Sequence, residues 1–283
     1  MSRYPVPMRH TCRFAPLFAL PLAVQSCRGP SDMDAPEAPA GPEWIALFDG
    51  ESLDGWTPKI AGHAAGEDPY ATWRVEDGLL TVSYENYGES FDGRFGHLFH
   101  AGEYSHYLLR AEYRFVGEQV PGAPGWAWRN SGVMIHGERP DEMGVDQSFP
   151  VSIEVQLLGE AADSEIERPN VNLCTPGTHV VMGDAIVTQH CTNSTSRTCR
   201  GDEWITVEIE VHGNGEVVHR LDGREVMRYR HPQLDVNDAD GARVAEARGG
   251  VQLDGGTISI QSESFPIQFR SIEVLPLDPV ASS

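Results

Sequence analysis

The chain has 283 residues, 40% of them apolar and 8% aromatic, which is enough to bury the core of one large domain and too apolar for a disordered segment. Its 42 acidic against 21 basic residues give a formal charge of -21. That balance repels a phosphate backbone, so nucleic acid is excluded as an expected partner.

The chain opens with Arg3, Arg9 and Arg13, then the apolar run Phe14 to Val24, which is too short to span a bilayer and is interrupted by Pro16 and Pro21. Val24-Gln25-Ser26-Cys27 resembles a bacterial lipobox, with Gln25 off the pattern. Residues 1–26 are expected to be a lipoprotein signal with Cys27 as the lipidated residue, an ordinary secretory signal being the alternative. Either way the mature chain is exported, as a membrane-anchored lipoprotein or a periplasmic protein. Residues 27–42, rich in proline, glycine and alanine, read as a flexible tether.

The folded part is expected over 43–277, leaving 278–283 as a tail. It starts at Trp44-Ile45-Ala46-Leu47-Phe48 and continues in short alternating segments separated by turn residues. Strands are expected at Trp73–Val75 and Leu79–Ser83 around Asp77-Gly78, and at Tyr107–Phe115. Further strands are expected at Glu203–Val211, at Val217–Leu221 and Arg224–Tyr229 around Asp222-Gly223, and at Thr257–Gln261 and Ile267–Leu275. The last of these is expected to return beside the first. No segment shows a sustained helical period with caps, and Asp235–Arg248 reads as an acidic surface excursion. Many short strands with Gly and Asp-Gly turns mean an all-β sandwich.

The stretch from Arg129 to Gln156 carries the chemistry. Arg129-Asn130-Ser131-Gly132-Val133-Met134-Ile135-His136 and Ser152-Ile153-Glu154-Val155-Gln156-Leu157 each alternate polar with apolar, so each reads as a half-buried strand. Glu154 and Gln156 then share one face, roughly 6–7 Å apart. An arginine, a histidine, a carboxylate and an amide on neighbouring strands form a polar floor suited to a sugar's hydroxyls. The competing reading is the solvated face of an ordinary sandwich. On the late strand, Gln261 and Glu263 also share a face, so a second carboxylate is placed to approach Glu154.

Three cysteines fall in the folded part, which permits one disulfide and leaves one thiol in an oxidising compartment. Cys174–Cys191, across two strand-like segments, is expected over Cys191–Cys199, which would staple only the polar Thr192-to-Thr198 loop. Their spacing matches no nucleophile signature.

Further motifs run in order along the chain. They include Phe48-Asp49-Gly50 with Leu53-Asp54-Gly55-Trp56, Trp73-Arg74-Val75-Glu76-Asp77-Gly78, Gly96-His97-Leu98-Phe99 and Tyr104-Ser105-His106-Tyr107. After them come Gly125-Trp126-Ala127-Trp128-Arg129-Asn130-Ser131-Gly132, Ile153-Glu154-Val155-Gln156-Leu157-Leu158-Gly159, Cys174-Thr175-Pro176-Gly177-Thr178, His190-Cys191-Thr192-Asn193-Ser194 and Gln261-Ser262-Glu263-Ser264. Together they resemble the 3-keto-disaccharide hydrolase family, formerly a domain of unknown function, over nearly all of 44–277. The resemblance implies a concanavalin-A-like jelly-roll sandwich of the lectin and glucanase type. It also implies cleavage of 3-keto-glycosides supplied by a partner sugar 3-oxidoreductase. Phe265 departs from the pattern, standing where a close relative more usually carries histidine.

A ketone at C3 acidifies the C2 proton. Its removal gives an enediolate, the C1 substituent leaves by β-elimination, and water adds to the enone. Such a reaction needs a base near C2, stabilisation of the C3 oxyanion, and an acid or cation for the leaving group. Glu154 is the first candidate for base, with His136 and Glu263 as further catalytic candidates. Arg129 would hold the keto oxygen, or else simply pair with Glu154. Asn130, Gln156, Gln261, His97 and His190 are candidate sugar contacts, and Trp128, with Trp126, is a candidate stacking platform that competes with a core role. A divalent cation of unfixed identity is a candidate cofactor, with Glu154 and Glu263 as its ligands. Two other functions compete. A retaining glycosidase would need two carboxylates about 5–5.5 Å apart on one strand, but Gln156 follows Glu154 and Glu160 lies one residue too far. A non-catalytic carbohydrate-binding surface module would bind glycans without turnover.

Overall fold

The computed structural model describes residues 43–279. The expected signal, the lipidation at Cys27, the tether and residues 280–283 of the tail lie outside the described residues. Two antiparallel sheets face one another. The larger runs Ala185–Val187, Thr178–Met182, Arg224–Leu234, Glu216–Leu221, Ile205–His212, His106–Phe115, Ile267–Pro276, Leu79–Val82 and Trp73–Glu76, with Ile45–Ala46 added to Ile267–Pro276. The smaller runs Cys191–Thr192, Asn172–Cys174, Ile153–Leu158, Asn130–Gly137, Thr257–Ser262, Gly96–His100 and Trp56–Ile60. This is an all-β jelly-roll sandwich of the concanavalin-A-like type, and the last strand does return beside the first, with Ile45 opposite Val274.

Alternation explains the layers. His106–Phe115 buries every second residue, so Tyr107, Leu109, Ala111, Tyr113 and Phe115 enter the core. From the smaller sheet Ile60, Leu98, Ile260, Val133, Val155, Leu157 and Leu173 meet them in one continuous cluster. Each of these large apolar side chains contributes about 1.5–3 kcal/mol by leaving water. The hairpin turn Asp222-Gly223 has both residues at positive φ, 49° and 77°, the conformation that matches strand twist in a two-residue loop.

One expectation needs correcting. Asp235–Arg248 is not merely an excursion: Ala239–Arg248 is an α-helix, capped by Asp238 accepting from the N–H groups of Asp240 and Gly241 and ended by left-handed Gly249. Its apolar contribution is confined to Val244 and Ala245 in a small satellite cluster with Val151, Leu234 and Leu253, too few for a periodic signal. Arg243 fastens it to the buried Glu138 carboxylate at 2.7 Å.

Cys174 and Cys191 form a disulfide, with Cα atoms 4.1 Å apart on the edge strand Cys191–Thr192 and its neighbour Asn172–Cys174. Cys199 remains free and buried, and burial pushes its thiol up to about 11.

Candidate functional site

In the smaller sheet, residues opposite one another project to the same face. Pairing therefore defines two rows on the face turned away from the core. One row reads Thr57, Phe99, Ser259, Met134, Glu154, Cys174 and Cys191. The next reads Lys59, His97, Gln261, Gly132, Gln156 and Asn172. Asn130 lies two residues further along its strand, and Glu263 lies one residue past the end of Thr257–Ser262, where the charge of Glu154 acts on it. The polar floor expected from alternation is thus assembled, with Glu154, Gln156, Gln261, His97, Asn130 and Glu263 on one surface.

Gly132 lies at its centre. A Cβ there would stand 3.0 Å from Glu154 Oε1 and 3.1 Å from Gln261 Oε1, so two side chains from flanking strands meet over a residue that has none. The floor is also enclosed, with Glu154 at 5% exposure and Glu263 at 3%. Roofing comes partly from the segment containing Val145 and Phe149. Lys59 Nζ donates to the Val145 carbonyl at 2.9 Å, and Phe149 sits edge-on to His97 at 5.9 Å.

Enclosure makes the polar inventory informative. Both ring nitrogens of His97, both amide heteroatoms of Gln261, Asn130 Oδ1, Glu263 Oε2 and Ser259 Oγ are buried without a protein partner. Buried polar groups are ordinarily bonded, because leaving one unpaired costs about 1–3 kcal/mol. A concentration of them on one floor is the signature of a surface built to receive polar groups from outside the chain.

The electrostatics agree. Burial pushes the Glu154 carboxyl up to about 8. Burial and then the charge of Glu154 hold Glu263 well above the usual carboxylate range, opposed only by Arg168. Burial, then the Lys59 charge, lowers His97 to about 3, so its imidazole stays neutral.

Several expected members are elsewhere. Arg129 is one residue out of phase with Asn130 and Gly132. Its guanidinium pairs with Asp202 at 3.1 Å and the Gly201 carbonyl, and lies over the Phe265 ring at 5.1 Å, not beside Glu154. His136 should share the Glu154 face by parity. However, a register shift between Thr257 and Ser259 gives its strand an extra residue, and His136 takes φ 53°. Its Nε2 meets the Gly213 carbonyl at 3.1 Å on the opposing sheet's hairpin, and burial lowers it to about 4. Trp128 packs edge-on against core Phe265 at 4.9 Å. The exposed indole is Trp126, at 56%. His190 is exposed, with only its carbonyl engaged, by Thr175.

Two members escaped the sequence reading. Lys59 shows in sequence only as a lysine in the unassigned strand Trp56–Ile60. Arg168 lies in an irregular segment with no periodicity to place it, yet it donates to the carbonyls of Trp128 at 2.6 Å and Gly159 at 3.0 Å and acts on Glu263.

Among the described residues no group of three or more His, Cys, Asp or Glu side chains is placed to hold a metal ion. A cation there would rest on the Glu154 and Glu263 carboxyls and neighbouring amide oxygens, with the remaining ligands supplied by water or substrate.

A family model described as the 3-keto-alpha-glucoside-1,2-lyase-like domain matches residues 43–275. No curated protein matches the chain significantly. Among solved structures, a "putative glycosyl hydrolase" of Parabacteroides distasonis ATCC 8503 is 16% identical over 83% of this chain and 100% of that one, with TM-score 0.48. The carbohydrate-binding module CBM66 of Bacillus subtilis is 10% identical over 77% and 93%, with TM-score 0.42. The β-glucanase of Bacillus licheniformis is 8% identical over 85% and 100%, with TM-score 0.43. Likenesses at these scores bear on neither substrate nor mechanism.

Proposed function

The chain belongs to the 3-keto-alpha-glucoside-1,2-lyase-like family, and from that premise we propose that it cleaves 3-keto-glycosides by proton abstraction at C2 and elimination of the C1 substituent. Membership makes it a carbohydrate-active, glycoside-acting domain. The 3-keto substrate and the elimination route are our reading. The observation that carries it is the enclosed floor around Gly132, where unpartnered polar atoms surround two buried carboxyls.

Glu154, whose side chain meets Gln261 over Gly132 at the centre of the floor, is the base. A carboxylate poised near 8 removes a carbon acid's proton more effectively than one near 4.5. The C2–H electrons form the C2–C3 double bond and the charge moves to O3, where the Gln261 amide donates and the buried Lys59 ammonium supplies a positive field. The enediolate then reforms the C3 ketone and expels the C1 oxygen, which takes the proton of Glu263. Water adding across the new C1–C2 double bond completes net hydrolysis. Asn130, Gln156 and His97 hold the sugar hydroxyls.

The substrate class places the protein downstream of an oxidoreductase acting on C3. We further propose that the chain is exported and anchored through Cys27, with residues 1–26 removed.

One assay tests the reaction. Purified protein is offered a 3-keto-glucoside and its unoxidised parent, with and without chelator. Release of the aglycone from the keto form alone supports elimination. Release from the parent would make the protein a glycosidase, and release from neither would make it a binding module. Loss of activity with chelator would place a cation in the site.

A further inference from the structure

Beside the polar floor lies an aromatic surface that the proposed chemistry does not use. Phe95 stands two residues before His97, one position beyond the last register pair, Gly96 with Ser262, at the same end of the sheet from which the chain runs on into Glu263. Trp126 stacks on Phe95 with centroids 5.6 Å apart and planes inclined by 13°, and Phe149 is tilted by 37° against Phe95 at 5.1 Å. The indole buries one face on Phe95 and leaves the residue 56% exposed.

The shelf is held in place. Trp126 sits in the single turn Gly125–Ala127, whose backbone closes Ala127 onto Pro124. Arg168 ties that turn to the site, donating to the carbonyls of Trp126 at 3.4 Å and Trp128 at 2.6 Å while acting on the Glu263 carboxyl. Val145, 57% exposed, crowns the neighbouring segment that Lys59 fastens. An exposed tryptophan fixed at the mouth of an enclosed polar site offers a ligand its π face.

The ligand's chemistry follows from what surrounds the ring. A second sugar would need partners for hydroxyls in the plane of its ring, but the unpartnered atoms of His97 and Glu263 on the shelf's inner side are assigned to the sugar being cleaved, and the other polar groups near the shelf are occupied. The Gln119 amide donates to the Pro124 carbonyl and Ser264 Oγ, and Arg168 Nη1 is spent on the carbonyls of Trp128 and Gly159. Ring faces and an aliphatic crown remain. We infer that Trp126, Phe95 and Phe149 form a leaving-group subsite selective for a flat, apolar aglycone, so that the substrates are aromatic glycosides and not disaccharides. For turnover the inference rests on the 3-keto-glycoside reading, but the shelf itself does not.

The test compares phenyl and methyl 3-keto-glucosides in wild type, Trp126→Ala and Trp126→Phe. Trp126→Ala should lower kcat/KM for the phenyl substrate roughly tenfold and for the methyl substrate at most about twofold, with Trp126→Phe recovering most of the phenyl loss. Equal losses on both substrates, or none, would overturn the subsite. Calorimetric titration with the unoxidised phenyl and methyl glucosides reads the shelf without turnover, and tighter phenyl binding should vanish in Trp126→Ala. If neither keto-glucoside reacts while that binding preference holds, the lyase reading falls and the subsite stands. If wild type binds the two parents equally, or binds neither, the subsite falls whatever the protein cleaves.

Discussion

Glu154 and Gln261 reach over Gly132 from opposite strands, and a methyl group at that glycine would stand 3.0 Å from one side-chain oxygen and 3.1 Å from the other. The backbone there has no need of glycine's freedom, since only the space is constrained. Gly132→Ala should therefore push both groups aside and leave the fold intact. We expect kcat on a 3-keto-glucoside to fall at least tenfold, with a thermal midpoint within a few degrees of wild type. Unchanged turnover would show that the chemistry does not depend on these two groups meeting.

Removing the base should cost more. Glu154→Gln keeps the shape and loses the proton acceptor, so kcat/KM should drop about 100-fold or more. Because burial holds Glu154 up to about 8, wild-type kcat/KM should rise with pH and level off above that value. A plateau already reached by pH 6, measured by aglycone release, would assign the base to another group.

The same carboxyl links stability to pH. A group that binds its proton more tightly folded than unfolded contributes fully below its ordinary value of 4.5 and loses that contribution as pH rises toward about 8. Glu263 acts in the same direction. Wild type should thus lose thermal stability between pH 5 and pH 8.5, and Glu154→Gln should flatten part of that slope. Parallel melting curves for the two proteins would contradict the burial argument.

His136 gives a contrasting expectation. Its ring is fixed to the Gly213 carbonyl across the sandwich, so His136→Asn should destabilise by about 1–3 kcal/mol while leaving kcat of the folded enzyme within about threefold. A loss of turnover without a loss of stability would return it to the catalytic groups.

Alternation was the part of the molecule legible from residues alone. It places Glu154 with Gln156, and Gln261 with Glu263, and pairing then brings the two strands' polar rows onto one floor. What alternation hides is phase. An extra residue near His136 turns that ring to the other side, and Arg129 falls on the odd count. Neither event leaves a mark in a period-two pattern. Arg168 and the roof over His97 come from irregular segments whose placement is set by tertiary bonds. The helix Ala239–Arg248 had legible ends in Asp238 and Gly249, but its apolar stripe is too thin to register.

The odd cysteine has a chemical consequence for the bridge. Thiol–disulfide exchange requires a thiolate, and with its thiol pushed up to about 11 Cys199 offers roughly one molecule in ten thousand at neutral pH, behind a side chain 1% exposed. Among the described residues the Cys174–Cys191 bond therefore has no rival thiol that could scramble it. Within the described fold, that pairing once made is rearranged by thiols arriving from outside the sandwich, and the buried third sulfur is a bystander to its redox life.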